Sequence, residues 1–396
     1  MKNYDVLVIG AGPGGSSAAR FAAKSGLRTL MIEKRGDIGV PVRCGEGISG
    51  ELLKEASITP NPNWISAEVE GARIYGPAER KAIHLSSDNA GSEVGFVIER
   101  DKFDKELASM AVSEGADVWI RSPAVDTIME GERVAGAMVR HNGSVEEVRA
   151  KIVIAADGFE SEFGRWAGLK SVILARNDII SALEYRMAGV AIDRQFMDFY
   201  LGSSAPSGYI WVFPKGEKEA NIGIGVPVSR LRSRGDLRER LDSWIQRHPA
   251  LSAGRAIHII SGGISVSRLP DKIAMPGMLL VGDAARLSDP LTGGGIASAC
   301  ISGKMAAGTS VVASEEGDFS AGSMRRYEEN VRERFGGDHH RNWLIKERIA
   351  GLSDSAIDSI VESLSDLDPG KPSAETLVNA VRARYPEAMR ELDRMM

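Results

Sequence analysis

The 396-residue sequence is poor in cysteine and in aromatics, and neither charge sign dominates it. Its two cysteines, Cys44 and Cys300, cannot build a disulfide framework or a zinc cluster, which predicts a reduced intracellular setting and no metal. With 49 basic and 54 acidic residues the net charge is −5, which lacks the basic excess of nucleic-acid binding. No run of roughly 18 uninterrupted apolar residues occurs, so no membrane span is expected. The N-terminus "MKNYDVLVIGAGPGG" lacks the basic region and cleavage site of a signal peptide. A cytoplasmic location follows as the expectation, with peripheral contact at the inner face of a membrane left open.

What is present begins with a βαβ pattern. "YDVLVI" is an apolar run without polar alternation, as in a strand covered on both faces. "GAGPGG" follows, then a helical "SSAARFAAKSG" and a second strand, "RTLMIE". Residues 124–154 alternate in three runs punctuated by Glu130-Gly131 and Asn142-Gly143, which predicts an antiparallel meander running into the buried strand "KIVIAADG". Residues 175–230 read as a separate antiparallel sheet, "GMLLVGDAAR" as another buried strand, and "TGGGIASACISGKMAAGTSVVAS" as a long helix.

The fold class is therefore α/β, α+β overall: a Rossmann-like dinucleotide domain with a β-meander, interleaved with an antiparallel-sheet substrate domain and followed by a helical segment. The expected division is 1–60, 98–165 and 270–335 for the first, 61–97 and 166–269 for the second, and 336–396 for the third. In the last, the adjacent His339 and His340 do not share the face required of paired helical metal ligands, so solvated or capping histidines are expected.

Gly10-x-Gly12-x-x-Gly15 sits between strand and helix. The first glycine permits the turn, the second lets backbone approach a pyrophosphate, and the third allows close helix–strand packing. Glu33 ends the next strand, where a carboxylate accepts ribose hydroxyls. Asp283 at a strand end precedes "DPLTGGGI", and the Gly293, Gly294 and Gly295 amides at a helix start suit negative charge on a reduced flavin. Arg100 opens another helix within reach of the cofactor, and Asp157 closes a further strand. Singly these are also helix caps and a surface ion pair; as a set they favour FAD over NAD.

"GAGPGG", "ADG" at 156–158 and "GDAA" at 282–285 resemble the FAD family that contains para-hydroxybenzoate hydroxylase. "RCGEGIS" (43–49) and "PSGYIWVFP" (206–214, a PxxYxWxFP pattern) further resemble the geranylgeranyl reductases, in particular the archaeal enzymes of digeranylgeranylglycerophospholipids. The resemblance covers most of residues 1–335. It implies an FAD enzyme that saturates C=C bonds of long-chain polyprenyl glycerolipids. It further implies FAD contacts at Gly14, Glu33, Cys44, Gly45, Gly47, Arg100, Ala124, Asp283, Gly295 and Ile296, with Arg43 in the same loop. Arg286 after "GDAA", where the hydroxylases have histidine, weighs against a monooxygenase, and the intact phosphate loop weighs against a non-catalytic prenyl-lipid binder.

As a strand, "GYIWVFP" places Tyr209, Trp211 and Phe213 on one face over about 13 Å. Alternation alone says sheet core; the resemblance makes them, with Pro206 and Pro214, the isoprenoid-holding surface. Cys44, Glu46 and Tyr209 are candidate proton donors, beside water. The Gly-x-Gly of "NIGIGVP" lies in an alternating apolar run and reads as strand rather than as a nicotinamide loop. The reductant, NAD(P)H or a ferredoxin-like donor protein, is not chosen by the sequence.

Overall fold

The computed structural model describes residues 2–86 and 94–365, so part of the expected third unit, 366–396, lies outside the described residues. An eight-stranded sheet forms the larger core. Its parallel part runs in the order Met278–Leu280, Ser144–Ala155, Lys2–Ile9, Thr29–Ile32, Asp117–Trp119. Val6, Leu7, Val8 and the facing Ile152, Val153 and Ile154 are fully buried, which is why these strands read as unbroken apolar runs. The meander is present: Ala124–Glu130 pairs antiparallel with Arg133–His141, which pairs antiparallel with the first half of Ser144–Ala155. Its Asn142-Gly143 turn has positive φ at both residues (48° and 84°), the geometry that suits a tight hairpin.

Helix Pro13–Lys24 crosses helix Ile296–Glu316 at closest range: a Cβ on Gly303 would lie 2.2 Å from the Gly14 carbonyl oxygen. The second helix bears on the expectation that no membrane span occurs. Its 21 residues are long and apolar enough to cross a membrane by length and composition, although charge and polar residues interrupt the run. Yet 67% of the window is buried inside the protein, where its alanines pack in the core.

A seven-stranded sheet, antiparallel but for one pair, runs in the order Arg255–Ser265, Ile179–Ala188, Glu219–Pro227, Tyr209–Pro214, Phe196–Tyr200, Gly71–Tyr75, Ala82–Ser86. Helix Asp236–Gln246 covers one face, with Leu241 and Trp244 against Ile210, Val212 and Ile222. The other face is turned toward the dinucleotide unit. A small sheet of Gly47–Ile48, Phe96–Ile98 and Ile65–Glu68 bridges the two; its strands come from both sides of residues 60/61 and 97/98. Helix Ala321–Ile349 begins well before residue 336, capped by Ser320, and runs on toward helix Asp354–Ser365. The latter docks on the second sheet's edge, where Asp358 accepts from the Ala78 amide at 2.9 Å.

Candidate active site

One continuous cleft runs from the glycine loop to the aromatic strand. At its first end Gly10 has φ 100°, and a Cβ there would stand 2.4 Å from the Ala156 carbonyl oxygen. Gly12, the N-cap of helix Pro13–Lys24, has nothing within 4 Å of its missing Cβ and opens to the cleft. Gly15 does not line the cleft. A Cβ at Gly15 would fall 1.8 Å from the Gly10 oxygen, so it serves the helix–strand contact. The Glu33 carboxylate accepts from the Ala11 amide at 3.0 Å and the Arg35 amide at 2.9 Å, which fixes it at the strand end with lone pairs to spare.

Asp157 both caps and faces the cleft. One oxygen accepts from the Phe163 amide at 2.8 Å. The other is buried with no hydrogen-bond partner among the described residues, and burial raises the carboxyl above its ordinary value. Asp283 is no helix cap: it accepts from Ser288 Oγ at 3.0 Å and lies against Gly295. Ala124 lines the same cleft. Open glycine backbone at a helix N-terminus, a ribose-type carboxylate and an orphaned buried Asp oxygen fit a bound FAD.

The far end differs from expectation in detail. The Gly293 amide donates to the Asp289 carbonyl at 2.8 Å and the Gly294 amide to Thr292 Oγ1 at 3.2 Å. Two of the three amides expected to meet negative charge are thus spent inside the loop. The first amides of helix Ile296–Glu316 have no intrahelical acceptor, and Gly295 and Ile296 line the cleft beside them. Helix Ala321–Ile349 clamps the loop from behind: Asn342 donates to Asp289 Oδ2 at 2.5 Å. His339, expected to be solvated or capping, is buried (5% exposed) with its ring at 3.2 Å from the Arg286 carbonyl.

Across the cleft, "RCGEG" brings in Arg43, Cys44, Gly45 and Gly47. Glu46 holds the tight turn with φ 73°, and its amide meets Cys44 Sγ at 3.2 Å. Its carboxylate accepts from the Arg100 amide (2.8 Å), Asn221 Nδ2 (2.9 Å) and Lys215 Nζ (2.7 Å). This corrects Glu46 as a proton donor: three donors, one of them a cation, hold it as a buried anion that shapes the loop. Arg100 lines the cleft but is no surface residue; its guanidinium grips Asp104 through two bonds of 2.8 and 2.9 Å. Cys44 is half-buried against the cleft, and burial pushes its thiol up to about 11.

The aromatic strand proves to be core and wall together. Tyr209, Trp211 and Phe213 share the cleft-facing side, with Phe199 edge-on to Tyr209 and Phe213 at 5.4 and 5.3 Å. Tyr209 donates its hydroxyl hydrogen to the Thr292 carbonyl, joining the wall to the glycine-rich loop. Pro206 and Pro214 do not line the cleft; Pro214 closes the strand as a buried residue. Sequence reasoning missed Glu184, Lys215 and Asn221, buried polar residues on three neighbouring strand segments. Their only signal was a charge or amide on the same alternating face as the aromatics. "NIGIGVP" is indeed strand, and its glycines have a job: a Cβ on Gly223 would stand 2.1 Å from the Trp211 ring.

A family model described as geranylgeranyl reductase catalytic domain matches residues 178–264, and one described as FAD dependent oxidoreductase matches residues 5–200. The chain is 58% identical to the digeranylgeranylglycerophospholipid reductase of Picrophilus torridus over 394 residues, covering 100% of this chain and 99% of that one. It is equally 58% identical to the enzyme of that name from Thermoplasma volcanium, over 99% of each. Among solved structures, a geranylgeranyl bacteriochlorophyll reductase-like protein from Thermoplasma acidophilum superposes over the whole of both chains with TM-score 0.94 at 56% identity. A flavin-dependent brominase variant, at TM-score 0.72 and 20% identity over 99% of this chain and 100% of that one, shares the fold.

Proposed function

The chain belongs to the digeranylgeranylglycerophospholipid reductases, FAD-dependent oxidoreductases, and from that premise we propose that it saturates isolated C=C bonds of geranylgeranyl chains on an archaeal ether glycerophospholipid along the Tyr209–Phe213 wall. The observation that carries this is spatial: the wall, Cys44 and the dinucleotide loop line one cleft. When bound and reduced, FAD supplies hydride from its N5.

An isolated trisubstituted alkene is electron-rich, so hydride acceptance requires a proton on one carbon and cationic character on the other. Cys44 is the group we assign to give that proton. Its half-buried thiol, pushed up to about 11, stays protonated at neutral pH, and it lines the cleft in a loop that packs against the wall at Gly45. Tyr209 is the weaker candidate, since its hydroxyl hydrogen is engaged with Thr292. The faces of Trp211 and Phe213 exclude water and tolerate developing positive charge, at about 0.5–2 kcal/mol.

Electrons reach the cofactor from a transient partner, NAD(P)H or a ferredoxin-like protein. The second Gly-x-Gly is interior strand and supplies no phosphate loop for a resident nicotinamide. A substrate anchored in a bilayer makes the chain a cytoplasmic enzyme acting at the inner membrane face. The test is anaerobic incubation of prereduced FAD enzyme with a geranylgeranylated glycerophospholipid, read by mass spectrometry. A gain of two hydrogens per reduced double bond is expected. Unchanged mass, or an oxygenated product once air is admitted, overturns the assignment.

A further inference from the structure

Five carboxylates are buried among the described residues: Glu46, Asp104, Glu184, Asp198 and Asp236. Four have a basic partner within 3.0 Å, namely Lys215, Arg100, Arg73 and Arg240. Glu184 is the exception. Its Oε2 accepts from Trp211 Nε1 at 2.7 Å, and its Oε1 is buried with no hydrogen-bond partner among the described residues.

The register explains how a residue two strands away reaches the indole. Glu184 is opposite Gly223, and Gly223 is opposite Trp211. With no side chain on the middle strand, the indole lies across it; a Cβ on Gly223 would stand 2.1 Å from Trp211 Cζ2. The same N–H edge of the ring meets the Cys44 loop, since a Cβ on Gly45 would lie 3.4 Å from Trp211 Nε1.

We propose that Glu184 is the positioning residue of the isoprenoid wall: by accepting the indole N–H across Gly223 it fixes Trp211 against the Gly45 loop and sets the width of the channel that presents the double bond. The inference rests on the reading of Trp211 as that wall. The surroundings of Glu184 favour its neutral form. Burial first, and then the Glu46 charge, push its carboxyl well above the ordinary range. The charged and titratable groups facing it are Glu46 and Cys44 from the loop, Lys215 from the end of the aromatic strand and Arg186 from its own strand. Lys215 and Arg186 are already bonded to Glu46, Glu99 and Glu219. A neutral acceptor places no further charge beside an apolar chain, whereas an ionised one would bring an uncompensated anion into the wall.

Steady-state kinetics of the FAD holoenzyme, prereduced, with a geranylgeranylated glycerophospholipid test this. Trp211→Phe and Glu184→Ala should each raise KM about tenfold, with kcat within about twofold of the parent. The double variant should be no worse than either single one, because both remove one contact. Glu184→Gln, whose amide oxygen accepts the same N–H, should rescue the KM lost in Glu184→Ala. Gly223→Ala should reproduce the rise with Glu184 in place, since the indole must move.

An unchanged KM in Trp211→Phe sinks the wall reading itself. A raised KM there with an unchanged KM in Glu184→Ala, or additive effects in the double variant, sinks the role of Glu184 alone. Loss of kcat in Glu184→Gln shows a proton-transfer role and overturns positioning. If Glu184→Ala fails to hold flavin, Gly223→Ala and Glu184→Gln still decide: the first must raise KM and the second must not.

Discussion

Lys215 Nζ lies 2.7 Å from Glu46 Oε2, and the Lys215 side chain has no exposed surface. The same ammonium donates to the Ile98 carbonyl at 2.7 Å and sits 3.2 Å from Glu99. It therefore pins the end of the aromatic strand to the underside of the Cys44 loop. Removing one member of such a pair strands the other charge without water. Lys215→Met should cost about 3–5 kcal/mol, and Lys215→Met with Glu46→Gln should recover part of it. Urea unfolding of the two variants beside the parent measures both; a loss below about 1 kcal/mol in the single variant contradicts the pair's role.

The Cys44 thiol gives a pH prediction with a definite sign. Its folded value, about 11, exceeds the ordinary 9.0 because burial disfavours the thiolate. A raised value means the folded state holds the proton more tightly. The associated stability is fully present below pH 9 and is lost as pH climbs through about 11. The rate of alkene reduction with prereduced enzyme should show no thiol-linked fall until that alkaline range. Cys44→Ser should bind FAD normally yet reduce substrate about 10²–10⁴ times more slowly; undiminished turnover removes Cys44 as the acid.

Gly303 supplies a third prediction, remote from any motif. Any side chain there meets the Gly14 carbonyl at 2.2 Å and the Ala18 amide at 3.0 Å, both backbone. Gly303→Val should splay the two helices, whose first turns both line the cleft. Purified protein should then lack the 450 nm flavin band at about stoichiometric level, while Gly308→Val, where no atom lies within 4 Å, should keep it.

The clamp from helix Ala321–Ile349 gives the last. Asn342→Leu removes the hydrogen bond to Asp289 and should weaken FAD binding about tenfold, as read by flavin fluorescence titration. His339 beside it is pushed below its ordinary 6.5 by burial. Its neutral form is therefore favoured by folding, so its contribution is complete above pH 6.5 and fades as pH falls through the lowered value. His339→Gln should flatten the acid side of the melting temperature against pH, below pH 6.5.

Much of this was legible in the sequence because the signals are local. Gly10, Gly12 and Glu33 occupy positions where one strand, one turn and one helix dictate the chemistry. The Asn142-Gly143 turn and the alternation of Tyr209, Trp211 and Phe213 are similarly short-range. What escaped was set by register. Nothing local says that Glu184, Gly223 and Trp211 stand side by side, because three strands 12 to 39 residues apart must first pair. Gly15, Pro206 and Pro214 were drawn into the site by motif membership, though each serves the backbone around it. Glu46 carried the right residue type for an acid, but its partners come from Asn221 and Lys215, some 170 positions away.

The contact between Gly14 and Gly303 also bears on how the enzyme is made. The sheet strand Met278–Leu280 pairs with residues 153–155, and the helix after it touches the first helix of the chain. During synthesis the first 277 residues emerge with their phosphate loop unsupported and one edge of the parallel sheet unpaired. The flavin site closes only after three-quarters of the chain has left the ribosome. A truncated nascent product would then carry a recognisable dinucleotide motif and hold no flavin, so cofactor capture reports that translation has passed residue 303.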